Sequence, residues 1–208
     1  MLIKDATAIT GGLSKPSKMP GYAYGLPAQR CKVGGRLQLV ANSVCDGCYA
    51  LKGMYQFDVV QTAQERRYQS LDHPDWVEAM VTLISKRGPY FRWHDSGDIR
   101  DLDHLSRIID VVKATPSVRH WMPTREYKVV NLWLDLYGGE FREFPANLVV
   151  RLSAHMVDGD APSGYGLPTS TVSSNGGRTC PAPDQGNSCQ DCRACWSGDV
   201  GNVAYGHH

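Results

Sequence analysis

An alternation of strand and helix runs through the middle of the chain, and it limits the folds available more than any other feature. "YFRWHDSGDI" (Tyr90 to Ile99) reads as a strand ending in a polar turn. "DLDHLSRIIDVVKATP" follows, with Leu102, Leu105, Ile108, Ile109 and Val112 at helical spacing and Pro116 as its stop. "VRHWMPT" (Val118 to Thr124) is the next strand, "REYKVVNLWLDLYGG" the next helix with glycines at its end, and "NLVVRLSAHM" (Asn147 to Met156) the third strand. Strands separated by helices through short connections pair in parallel with right-handed crossovers. Upstream, "DVVQTAQERRYQSL" and "PDWVEAMVTLISKRG" read as two more helices, the second started by Pro74 and stopped by Gly88. Downstream, "TSTVSS" is expected to be a fourth strand. The expected class is α/β, a partial (β/α) barrel of parallel strands with a C-terminal cysteine-rich extension.

A chain of 208 residues, 42% hydrophobic and 21% charged, can bury one core without disulfides. No linker or repeat divides it. Residues 1–208 are therefore read as one domain: an N-terminal loop region over 1–30, the partial barrel over 31–175 and a cysteine-rich segment over 176–208. The net charge of +1 gives no electrostatic case for nonspecific nucleic-acid binding. No window approaches the roughly 20 apolar residues of a membrane span, and "MLIKDATAITGG" lacks the apolar core of a signal peptide. A reducing cytoplasm is the expected location, where thiols stay free or bind metals.

The seven cysteines fall into two sets: Cys31, Cys45 and Cys48 early, then Cys180, Cys189, Cys192 and Cys195 late. In "SCQDCRACWSG" the run Cys189-x-x-Cys192-x-x-Cys195 can wrap one face of a cubane iron–sulfur cluster, and the remote Cys180-Pro181 supplies a fourth thiolate. Zinc is the competing reading, although structural zinc sites more often pair two C-x-x-C knuckles. The early set is the weaker signal, since one C-x-x-C also suits half a zinc site or a redox pair. A hairpin through "GGRLQLV" is expected to return Cys31 to Cys45 and Cys48. Three thiolates on a four-iron cubane leave one iron open to another ligand.

Polar residues collect at the expected C-terminal ends of the strands, where parallel α/β sheets place their sites. His94, Asp95, Ser96, Gly97 and Asp98 end the first strand; Thr124, Arg125 and Glu126 end the second; Arg151, Ser153 and His155 lie on the third. The plainer alternatives are that Asp98 or Asp101 caps the following helix, that Arg125 and Glu126 merely suit a helical first turn, and that His94 is structural. Trp93 and Trp121 read as barrel packing.

The segments "GLSKPSKMP", "GLPA", "CDGCYALKG", "YFRWHDSGD", "HWMPTRE" and "NLVVRLSAHM", with the cysteine-rich tail, resemble the phage-encoded gene-product-88 family. Its chain plan is similar to that of a shortened radical S-adenosylmethionine (SAM) protein. The resemblance implies a 4Fe-4S cluster on Cys31, Cys45 and Cys48, with SAM on the open iron, and an auxiliary cluster on the other four cysteines. It implies that cleavage of SAM yields a 5′-deoxyadenosyl radical, chemistry supplied by the cofactor. His94, Asp95, Ser96, Gly97 and Asp98 would then face the SAM amino group, with Arg125, Arg151 and Ser153 toward its carboxylate and ribose. Asp98, Arg125 and Glu126 are the candidate catalytic residues. The implied partners are a small-molecule or nucleotide-derived substrate and a reductant protein of the host cell. This sequence departs from the superfamily's C-x-x-x-C-x-x-C spacing, because Cys31 stands far ahead of Cys45. "GGE" at Gly138 to Glu140, which resembles a SAM-contact motif, follows a helix and reads as its stop.

Three function classes follow: a radical-SAM-like enzyme, a noncatalytic iron–sulfur redox or electron-transfer protein, and a zinc-stabilised phage interaction protein.

Overall fold

The structure, a computed structural model, describes residues 1–207. Six strands form one sheet, β1 (Tyr22–Tyr24), β2 (Tyr90–Trp93), β3 (Arg119–Thr124), β4 (Leu148–Val157), β5 (Thr169–Ser173) and β6 (Asn202–Gly206). They lie side by side in chain order, and every neighbouring pair is parallel. The expected α/β class with parallel strands is the class observed. Asp95, Thr124 and Ser153 consequently lie at or just beyond the C-terminal parts of three adjacent strands.

Helices α3 (Asp58–Ser70), α4 (Trp76–Ile84), α5 (Leu102–Ala114) and α6 (Tyr127–Tyr137) match the four helical patterns in the sequence. The apolar stripe of α5 buries Leu105, Ile108, Ile109 and Val112 against Phe91, Trp93, Met122 and Val150 from the sheet. Each such side chain contributes about 1.5–3 kcal/mol when fully buried. Asp101 caps α5, accepting the His104 amide at 2.9 Å. Asp98 does not cap it.

Three stretches differ from expectation. Residues 1–30 are not all loop: Ile3–Thr10 is helix α1, and β1 adds an edge strand. Helix α1 packs Ala6 against Ala79 and Leu83 of α4. Only three residues long, β1 offers too short a window for a period-two pattern. The segment "GGRLQLV" does not form a hairpin; Val33–Leu37 is the short helix α2, and Cys31 is returned by a helical turn instead. Finally, the cysteine-rich segment ends in β6, so it is built into the sheet.

The two faces of β2 to β4 follow the two-residue period of the strands. Phe91, Trp93, His120, Met122, Val150 and Leu152 face the helices. Arg92, Trp121 and Arg151 face the other way, toward the 3₁₀ turn Ala194–Trp196. Trp196 lies 5.1 Å from Trp121 and 5.5 Å from Tyr90, centroid to centroid, and its Nε1 donates to the Phe91 carbonyl at 2.9 Å.

Candidate functional site

Three tethers hang the early cysteines over the C-terminal ends of β2, β3 and β4. The Val44 amide donates to the His155 carbonyl on β4 at 2.8 Å. Tyr49 Oη donates to the Asp95 carbonyl just beyond β2 at 2.7 Å. The Val33 amide, at the start of α2, donates to Glu126 Oε1 beyond β3 at 2.8 Å. Cys45 and Cys48 lie between the first two tethers, and Cys31 lies beside the third.

Cys31 and Cys45 meet at Gly34. A Cβ there would stand 3.1 Å from Cys31 Cβ and 3.6 Å from the sulfurs of both Cys31 and Cys45. Burial raises the Cys31 pKa, and the nearby Asp98, Cys48, Cys45 and Glu126 push the same way. Burial also raises that of Cys45, opposed by Arg125. Both shifts keep these thiols protonated at neutral pH.

Asp98 sits beside this set. Its carboxylate accepts from Thr124 Oγ1 at 2.6 Å, the Arg125 amide at 2.9 Å and the Ile99 amide at 2.8 Å. Burial outweighs these hydrogen bonds and raises its pKa to about 6. Asp98 thus ties the turn after β2 to the turn after β3. Arg125 directs Nε to the Ala154 carbonyl at 3.2 Å. Asp98, Arg125 and Glu126 are therefore the strand-end candidates that gather at the early thiols.

The other candidates lie elsewhere. His94 has a left-handed backbone, φ 56°, and both ring nitrogens are buried without a partner, edge-on to His104 at 5.5 Å. Asp95 faces Ser14, whose Oγ is 3.4 Å from each carboxylate oxygen. Ser96 Oγ donates to the Leu26 carbonyl at 2.8 Å. Gly97, at φ 77°, passes so close to Leu26 that a Cβ would meet its carbonyl oxygen at 2.8 Å. His94 through Gly97 therefore brace the turns around β1 and β2. Arg151 is also placed differently from a SAM contact. It is fully buried and donates to the carbonyls of Ala194 at 2.8 Å, Ser197 at 2.7 Å, Thr169 at 3.1 Å and Cys195 at 3.3 Å. Ser153 accepts from Ser170 Oγ at 3.0 Å on the β4–β5 boundary.

The late cysteines form a second group. Cys180, Cys189, Cys192 and Cys195 line one pocket together with Pro181, Ala182, Trp196 and Val203. Burial raises the Cys195 pKa to about 11, opposed by Tyr205, Arg92 and Arg151. Tyr205 Oη lies 3.1 Å from the Cys195 sulfur. All seven cysteines are free thiols. Among the described residues, no group of three or more His, Cys, Asp and Glu side chains is drawn together closely enough to hold a metal ion.

Sequence reasoning missed Arg92, Tyr49, Tyr205 and Gly34. Arg92 carried a signal, because it alternates with Phe91 and Trp93 and must face away from the core they enter. Tyr49 and Tyr205 act through tertiary contacts for which no local pattern exists.

An all-parallel α/β sheet with three thiols over its strand ends and four more against one face defines a class of cysteine-rich α/β protein. The chain belongs to the gene product 88 family, whose model matches residues 1–169. Cys180, Cys189, Cys192 and Cys195 lie beyond the matched segment. No curated protein and no solved structure matches the chain. No helix among the described residues is long and apolar enough to cross a membrane.

Proposed function

We propose that the chain is an iron–sulfur protein with a three-thiolate site on Cys31, Cys45 and Cys48 and a four-thiolate site on Cys180, Cys189, Cys192 and Cys195. The observation that carries this reading is the grouping of the thiols: Cys31 and Cys45 at the Gly34 gap, with Cys48 one turn from Cys45, and the other four around a single pocket. Thiolate-only donor sets of three and four suit iron–sulfur clusters. A 4Fe-4S cluster on the early set would leave one iron to bind SAM, and reductive cleavage of that sulfonium is the chemistry the cofactor would supply. Glu126 positions the Cys31 turn, Asp98 fixes the turns after β2 and β3, and Arg125 places a positive charge near Cys45.

The test is anaerobic isolation followed by iron, sulfide and zinc analysis. Iron and acid-labile sulfide beyond one cubane support the reading; zinc without sulfide refutes it. Cys192→Ser should remove one centre and leave the other. SAM added to the reduced protein should alter the electron paramagnetic resonance signal of the early site.

An electron-transfer role without SAM is the second reading. It is favoured by Arg151 and by His94 through Gly97, which serve the fold and leave fewer groups to hold SAM. A loaded, reduced protein that neither binds nor cleaves SAM would select it.

A further inference from the structure

A cavity of about 310 Å³ opens beside the C-terminal end of β4, apart from both thiol groups. Tyr127 at the start of α6, His155 and Met156 of β4, and Asp160, Ser163 and Tyr165 of the β4–β5 loop line it. Among the described residues that line it, none is a cysteine, lysine or arginine. The Tyr127 and His155 rings are stacked, 4.6 Å apart at 10°, and the Tyr165 ring lies 5.6 Å from Tyr127 at 59°. Tyr127 Oη donates to the Ser153 carbonyl, which fixes the stack to the sheet. His155 Nε2 is buried and has no hydrogen-bond partner among the described residues. Buried polar atoms ordinarily have one, so this nitrogen is where a ligand atom would complete the site. Burial lowers the His155 pKa, which leaves the imidazole neutral at neutral pH and able to donate or accept according to its tautomer.

Each feature narrows the ligand. Stacked rings on the wall favour a flat ring, since another aromatic plane extends an offset stack. The partnerless imidazole nitrogen calls for a heteroatom in that ring. Asp160 accepts from hydroxyl or amino groups and repels anions, and no cation on the wall would hold a phosphate. The volume sits at the lower end of the about 300–1,000 Å³ typical of small-ligand sites. We propose that this cavity binds a free purine nucleoside, with the base against the aromatic wall, a ring heteroatom at His155 Nε2, and the sugar hydroxyls toward Asp160 and Ser163. The assignment does not rest on the iron–sulfur reading. It places the nucleoside next to the early thiols all the same, because the His155 carbonyl holds the Val44 amide at 2.8 Å and Val44 directly precedes Cys45.

The experiment is calorimetric titration of the full chain with adenosine, guanosine and their 5′-monophosphates, with and without SAM. At least one nucleoside should bind, and its monophosphate should bind about tenfold more weakly because a second negative charge meets Asp160. SAM should leave the nucleoside affinity unchanged. Tyr165→Ala should weaken nucleoside binding about tenfold, the effect of losing one ring from a base stack. His155→Phe, which keeps the stack and removes the nitrogen, should weaken it as well. Asp160→Asn should retain the nucleoside and bring the affinity of the monophosphate close to it. Failure of both nucleosides to bind folded wild type would overturn the inference, whatever the metal content. Equal affinities for nucleoside and monophosphate would overturn it too, as would displacement by SAM, which would make the cavity part of the cofactor site. Full affinity in Tyr165→Ala would also refute it, because that ring lies on an exposed loop and its loss leaves the core intact.

Discussion

Glu126 accepts the Val33 amide at 2.8 Å across 93 positions of chain, and this bond fixes where Cys31 stands relative to the sheet. Glu126 is itself buried, with 5% of its surface exposed. A charge-assisted acceptor in such a place contributes about 1.5–3 kcal/mol. Glu126→Ala should loosen α2, seen as faster hydrogen exchange at Val33, and lower iron retention at the early site while the late site stays loaded.

Glu126 is only half legible in the sequence. Its place at a strand end follows from the alternation of β3 and α6, so it could be nominated. Its partner lies in a segment whose sequence suggests a hairpin returning Cys31 to Cys45 and Cys48. The helix α2 forms there instead, at the site of the thiol gathering. Asp98 shows the same division: its position beyond β2 was evident, but capping and cross-strand bracing need the same residue type. Only the tertiary position of Thr124 and Arg125 decides between them. Arg151 lies on the strand the alternation implies, but its carbonyl acceptors at Thr169 and the turn at Ala194 belong to segments further along the chain that no local pattern reveals. The order of β2 to β4 was legible because long helical stripes separate them, whereas β1 is too short to carry a pattern.

Gly34→Ala should separate stability from metal binding. The added methyl favours helix by about 1 kcal/mol but enters the space between the sulfurs of Cys31 and Cys45. Thermal denaturation of the metal-free protein should be unchanged or slightly raised. Metal analysis should show loss of iron from the early site only. Full iron content in this variant would argue against a centre in that gap.

Arg151→Met should destabilise the fold by about 3 kcal/mol or more, since four backbone carbonyls lose their donor together. Urea denaturation measures the loss. The tryptophan emission, to which Trp196 within the turn that Arg151 grips contributes, should shift to longer wavelength before global unfolding.

Acid should weaken the fold through His120. Burial lowers its pKa to about 3, and its Nε2 lies 2.9 Å from Thr115 Oγ1. In the unfolded chain the imidazole takes a proton near about pH 6.5. Its stabilising contribution is therefore complete above that pH and is lost as pH falls toward 3, by about 1.4 kcal/mol per pH unit. Denaturant titrations at about pH 7 and about pH 5 should show wild type losing roughly 2 kcal/mol more than His120→Gln. Equal losses would show that His120 already carries its proton when folded.

All four late cysteines precede β6 in the chain, yet Val203 and Tyr205 of β6 complete the wall around them. That pocket is an open hook until the last strand zips onto β5, and afterwards it is clasped. Whatever the four thiols hold is loaded most easily during assembly and is released only as fast as an edge strand of five residues peels from its neighbour. The early set is closed instead by turns tethered to the sheet, with Cys45 buried and Tyr49 half exposed. The two thiol groups therefore differ in how they close, one by the pairing of a strand and the other by turns.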